Sequence, residues 1–143
     1  IDFEYTVRRP DGVTTRIVRG AKDLVLRPEL VEAELRARYG PDPSPGALDM
    51  MRDYPRPDRM PAYRELKIDA TGAVWLAEHR GRAVYETSSE PNNWDVFDVE
   101  GVWLGQVPTP GRFQVMEIGT DYVLGVRRDE LDVEHVQLLP LSR

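Results

Sequence analysis

Along most of this chain apolar and polar residues alternate with period two, and the alternation is broken repeatedly by short turns containing glycine. Phe3, Tyr5 and Val7 lead to Arg9-Pro10-Asp11-Gly12, and an extended run over 13–18 follows it, which predicts a first hairpin. Residues 63–69 and 74–78 pair across Asp69-Ala70-Thr71-Gly72, and 113–118 with 122–126 across Gly119-Thr120-Asp121. A last strand is predicted over 133–139, after the charged turn 127–132. The stretch 94–107 is central. Trp94, Val96 and Phe97 precede the Glu100-Gly101 turn and Val102, Trp103 and Leu104 follow it, so this hairpin is apolar on both faces. A sheet of that kind needs another sheet stacked on each side.

The period changes in only one region. Leu30, Val31, Leu35 and Tyr39 fall at helical spacing between Pro28, which suits the first helical position, and Gly40, which suits the residue after the last turn. Glu32 with Arg36 and Glu34 with Arg38 add i,i+4 pairs. Residues 41–46 break regularity, and 47–54 read as a second short helix capped by Ser44. Residues 79–93 are polar and read as a long hairpin loop, with 83–87 as an outgrowth of the flanking strands. The expected fold class is therefore all-β, with antiparallel sheets, about nine strands and a short helical insertion. Leu66, Ile68, Trp75, Phe97, Leu104, Ile118 and Leu124 are the expected core.

Composition removes several classes of function. The net charge is −6, and 19 basic residues are scattered among 25 acidic ones without a block, so no electrostatic footprint for nucleic acid is present. With no cysteine, disulfides and thiolate metal sites are excluded. No apolar run approaches the ~18 residues of a membrane span. The chain opens on Ile1 rather than Met, which leads us to expect a portion of a longer protein.

Two pairs of segments repeat. LKIDATGAVWL from Leu66 matches MEIGTDYVLGV from Met116 in strand, turn and strand, and RRPDGVTTRIV from Arg8 matches FDVEGVWLGQV from Phe97. A four-stranded unit of roughly 40 to 50 residues is the period of a propeller blade. With the L-x-x-D-x-x-G-x-V-W turn from Leu66, the W-D-V-F-D-x-x-G hairpin from Trp94, and IGTDYVLGV followed by DELDVEHVQLLPL at the end, the chain resembles six-bladed β-propellers of the NHL and TolB-like kind. The resemblance implies four-stranded antiparallel blades: an outer hairpin of one blade over 1–20, a helical insertion over 21–61, a full blade over 62–110 and a three-stranded final blade over 111–143. That is about two blades plus flanking strands. It also implies that the remaining blades, or copies of this chain, complete the ring. A bacterial protein of the periplasm or exterior is implied in preference to a cytoplasmic one.

For chemistry, Asp69, Asp98 and Asp121 sit at strand ends beside turns, where an aspartate commonly accepts bonds from its own backbone. His79 and His135 lie in no spaced pair, so histidine ligation of a metal has no support. The catalytic candidates are His79, at the end of a strand, with Asp69 and Asp121. Asn92, Asn93, Trp94 and Asp95 are the candidate binding residues, and Glu90 adds a further oxygen donor. No metal or cofactor is expected, and no nucleophile elbow or phosphate loop occurs. Two functions fit: a non-catalytic module that binds a protein, peptide or glycan through its loops, or part of a propeller hydrolase or lyase with its site at the central mouth.

Overall fold

The computed structural model describes residues 3–8, 10–19, 24–53, 55 and 57–142. Arg9, in the predicted first turn, and Tyr54, at the predicted end of the second helix, lie outside them. The fold is mostly β, in three antiparallel sheets. β1 (Phe3–Arg8) pairs with β2 (Thr14–Arg19). Next come α1 (Pro28–Tyr39) and α2 (Pro45–Asp53). A four-stranded middle sheet has the order β3 (Tyr63–Ile68), β4 (Val74–Glu78), β5 (Asn92–Phe97) and β6 (Trp103–Thr109). A three-stranded last sheet runs β7 (Phe113–Ile118), β8 (Tyr122–Arg128) and β9 (Glu134–Pro140). Each sheet is therefore a meander of neighbours in sequence.

The middle sheet is covered on both faces. Trp75, Ala77, Trp94 and Val96 on one face pack against Phe113, Val115, Ile118 and Val123 of the last sheet. The Trp75 and Trp94 rings meet edge-on with centroids 6.5 Å apart, a geometry that aligns ring edge with ring face. On the other face Val74, Leu76 and Phe97 pack with Ile17, Tyr5 and Val7 of the first sheet. Gly101 has φ +87 and lies against Ile17, where a Cβ would come within 2.5 Å of that side chain. A larger residue there would both strain the turn and displace the core.

One turn geometry recurs. In Asp69 to Ala73, Asp98 to Val102 and Asp129 to Val133 the backbone N–H of the first residue donates to the carbonyl of the fifth, at 3.0, 2.9 and 3.1 Å. The fourth residue, Gly72, Gly101 or Asp132, has positive φ in each. This is a three-residue hairpin loop closed by a left-handed residue. The aspartate Oδ1 accepts the N–H of the third and fifth residues every time, at 2.8 to 3.0 Å.

The helical segment matches its pattern closely at the ends. Pro28 begins α1, and the Gly40 N–H closes it onto the Arg36 carbonyl at 2.9 Å. Ser44 precedes α2, and its Oγ accepts the Ala47 N–H at 3.3 Å. Glu32 and Arg36 form the expected pair at 2.6 Å. Glu34, expected to pair with Arg38, is instead directed at a third helix.

Three further expectations need correction. Residues 83–87 belong to that third helix, α3 (Arg82–Thr87), and not to an outgrowth of strands. Gly81 at its start offers no side-chain cap, and the Glu34 carboxylate of α1 accepts the Ala83 and Val84 N–H groups at 2.9 and 3.2 Å. A cap supplied from elsewhere leaves no local signal in the sequence. Leu66, Ile68 and Leu104, expected in the core, are 51%, 61% and 58% exposed. Leu66 and Ile68 share a face with Leu76 and Val74, yet the two-stranded first sheet packs on the strands beside them. Leu104 is the unpaired residue of a bulge between the Val96↔Gly105 and Phe97↔Trp103 pairs. Lastly, of the apolar stripe on α1 Leu35 is buried, while Leu30 and Tyr39 are exposed.

The two ends of the stack differ. Glu4, Thr6, Arg8, Thr14 and Arg16 make the outer face of the first sheet mostly polar, with Glu4 and Arg16 ion-paired and Val18 the exposed apolar residue beside Glu4. The last sheet carries an apolar patch there, beside Gln114, Glu117 and Glu134: Val126 pairs with Val136 and Leu124 with Leu138, Val136 and Leu138 are 77% and 62% exposed, and Met116 lies exposed at a bulge of β7. Among the described residues no helix is long and apolar enough to cross a membrane.

Candidate functional site

The three candidate catalytic residues are not brought together. Asp69 is buried, its Oδ1 receiving the Thr71 N–H, the Thr71 hydroxyl and the Ala73 N–H, and its Oδ2 the Trp75 Nε1–H at 2.9 Å. Its lone pairs are thus occupied in holding a turn and a core tryptophan. Asp121 lies exposed in the β7–β8 turn, 3.4 Å from the Thr120 hydroxyl. His79 follows β4 and is half-buried.

The four candidate binding residues fall on β5, where alternation sends them to different places. Trp94 is fully buried and its Nε1–H donates to Thr109 Oγ1 at 3.2 Å. Asp95 is 1% exposed, accepting the Tyr63 hydroxyl at 2.8 Å and the Trp103 Nε1–H at 3.2 Å. Asn92 is buried. Asn93, with Glu90, lines a cleft.

That cleft, of about 670 Å³, lies between α1, the segment around Met60 and the ends of β4 and β5. Leu24, Val25, Leu30, Ala33, Met60 and Val84 make it largely apolar, while Glu78, His79, Arg80, Glu90 and Asn93 supply polar groups. A short ladder holds its wall: Leu26 N–H donates to the Asp58 carbonyl at 3.1 Å and Met60 N–H to the Leu24 carbonyl at 2.8 Å.

His79 also lines a second cleft, of about 510 Å³, with Arg64, Tyr85, Glu86, Arg112, Gln114, Val126 and Arg128. The Arg64 guanidinium lies 3.3 Å from the centroid of the Tyr85 ring, and the Tyr85 hydroxyl donates to the Phe113 carbonyl at 3.0 Å. A guanidinium stacked on an aromatic face keeps its edges available to a planar anion. Arg112 adopts φ 57, outside the region favoured by a residue with a side chain. Burial lowers the His79 pKa from its ordinary 6.5; Arg64 pushes it the same way and Glu34 opposes. Burial raises that of Tyr85, against the pull of Arg64. The imidazole is accordingly held neutral near pH 7.

His135 sits away from this region, its Nε2 2.9 Å from Asp129 Oδ2 on the last sheet, and that contact is the main cause of the depressed Asp129 pKa. Among the described residues no group of three or more His, Asp or Glu is placed to hold a metal ion. Sequence reading missed Arg64, Tyr85 and Arg112 because they come from a strand, a helix and a loop with no shared spacing. Comparison with protein-family models, with curated proteins and with solved structures finds no match to this chain.

Proposed function

We propose that the chain is a non-catalytic recognition module, one portion of a six-bladed propeller of the NHL or TolB-like kind, and that it binds a peptide at the end of the middle sheet. One observation carries this reading: the apolar cleft under α1 and the arginine-lined cleft meet at His79. A concave apolar surface with a small number of convergent polar groups is the usual form of a binding site. A peptide matches both parts, since its side chains suit the apolar wall and its polar groups the other.

The propeller assignment draws on the stack itself. Three antiparallel meanders lie face to face, with an apolar patch left open on the last sheet and an uncovered flank on β3. Further blades of the same pattern would cover both, which removes a large exposed apolar area. A hydrolase or lyase reading needs a group to orient or relay protons to His79, and Asp69 is committed to the Trp75 indole while Asp121 sits in another turn.

The test is a fluorescence-polarisation screen of a library of acetylated peptides against the purified protein, alongside esters, lactones and glycosides as substrates. Saturable binding of apolar-containing peptides is expected, lost in Ala33→Arg, which fills the cleft from the exposed face of α1. Turnover of any substrate that disappears in His79→Ala and survives in His135→Ala would overturn the reading in favour of an enzyme.

A further inference from the structure

The arginine-lined cleft contains more hydrogen-bonding capacity than the protein uses. Arg64 Nε, Arg112 Nε and His79 Nδ1 are buried side-chain nitrogens without a partner among the described residues, and all three residues line this one cleft. Buried nitrogens of that kind are rare, because a donor taken out of water without a new partner destabilises the fold.

The arginines are held in place without being fully neutralised. Arg64 Nη2 bonds Glu65 Oε2 at 2.9 Å, but the same carboxylate also pairs with Lys67 at 3.0 Å. Arg112 Nη2 is 3.6 Å from Asp132 Oδ1, and Arg128 Nη1 stands at the same distance from that oxygen while its Nη2 bonds Glu134 Oε1 at 2.7 Å. The Glu65 and Asp132 carboxylates are each divided between two cations. Glu86 is the one carboxylate lining the cleft among the described residues. In a chain of net charge −6 such a concentration of guanidinium is local. With Tyr85 fixing the plane of Arg64 and the Arg112 backbone held at φ 57, the groups are preorganised before any ligand arrives.

We infer that this cleft is a carboxylate-binding subsite, in which Arg64 and Arg112 hold an acidic side chain or the C-terminal carboxylate of the peptide whose apolar residues occupy the adjoining cleft. Guanidinium matches a planar carboxylate with two parallel bonds, which favours it over a spherical anion. The inference rests on the peptide reading above.

Nitrogen-15 NMR of the arginine Nε–H signals tests it with three probes: an acetylated, amidated apolar peptide bearing one Glu; the same peptide with Gln and a free C-terminus; and inorganic phosphate. Saturable shifts of the Arg64 and Arg112 signals with either peptide are expected, and which peptide acts identifies the source of the carboxylate. Arg64→Gln and Arg112→Gln should each weaken that binding on the order of tenfold, with Arg16→Gln, on the far sheet, leaving it unchanged. Response to phosphate alone, or equal shifts at Arg16, would overturn the inference. If the methyl signals of Val25, Leu30 and Met60 move while both arginine signals stay still, the subsite falls and the peptide reading stands. If neither set moves, both fall.

Discussion

Asp69 supports far more of the fold than its two turn homologues, and replacing it measures how much. In Asp69→Ala four donors lose their acceptor: the Thr71 N–H and hydroxyl, the Ala73 N–H and the Trp75 Nε1–H. Thr71 is exposed and water replaces its two bonds. Ala73 and Trp75 are 3% and 2% exposed, so their donors stay unsatisfied at about 1–3 kcal/mol each. The expected loss is about 4 kcal/mol, a large share of the ~5–15 kcal/mol that holds a domain together. In Asp98→Ala the same turn loses bonds from Glu100 and Val102, both exposed, and the expected loss is about 1 kcal/mol. Urea unfolding followed by tryptophan fluorescence would read the difference, roughly a hundredfold in the folding equilibrium. Asp69→Asn keeps an acceptor for the turn and turns an amide donor toward the indole, so its cost and that of Trp75→Phe should be non-additive by about 1–2 kcal/mol in a double-mutant cycle. An Asp69→Ala cost within about 1 kcal/mol of the Asp98→Ala cost would refute the idea that burial of the indole contact sets the scale.

Two further outcomes follow from the same structure. Because burial lowers the His79 pKa below 6.5, the unfolded chain takes up the proton first as pH falls; stability should decline on acidification through about 6.5 and be flatter in His79→Gln, as thermal melts from pH 7.5 to 5 would record. The open apolar patch of the last sheet should make the isolated chain self-associate at micromolar concentration; Val136→Thr with Leu138→Thr, at 77% and 62% exposure, should reduce light scattering without lowering the unfolding midpoint, and an unchanged scattering profile would show that this patch is not the contact.

Most of the strand framework was legible because it depends on local chemistry. The apolar run over 74–78 and the alternation over 113–118 mark β4 and β7 at their observed limits, and the Asp and Gly of the turns carry their own hydrogen bonds and positive φ. Pro28 and Gly40 delimit α1 for the same reason. Layering came from the sequence as well, since 94–107 is apolar on both faces and the middle sheet is covered on both.

What packs on what was decided only in three dimensions. Trp75 and Ile68 both read as core, yet the last sheet buries the first, and the short first sheet leaves the second open. α3 forms at Ala83 because Glu34, far away in sequence, caps it. The cleft is the plainest case. His79 was a candidate from its place at a strand end, whereas Arg64, Tyr85 and Arg112 came to line one cleft with it when β3, α3 and the loop before β7 met. Alternation and turn chemistry act between residues a short distance apart in sequence, and so the amino-acid order reveals them. A binding surface depends on which distant side chains the stacked sheets bring within hydrogen-bonding distance, and no spacing in the chain encodes that.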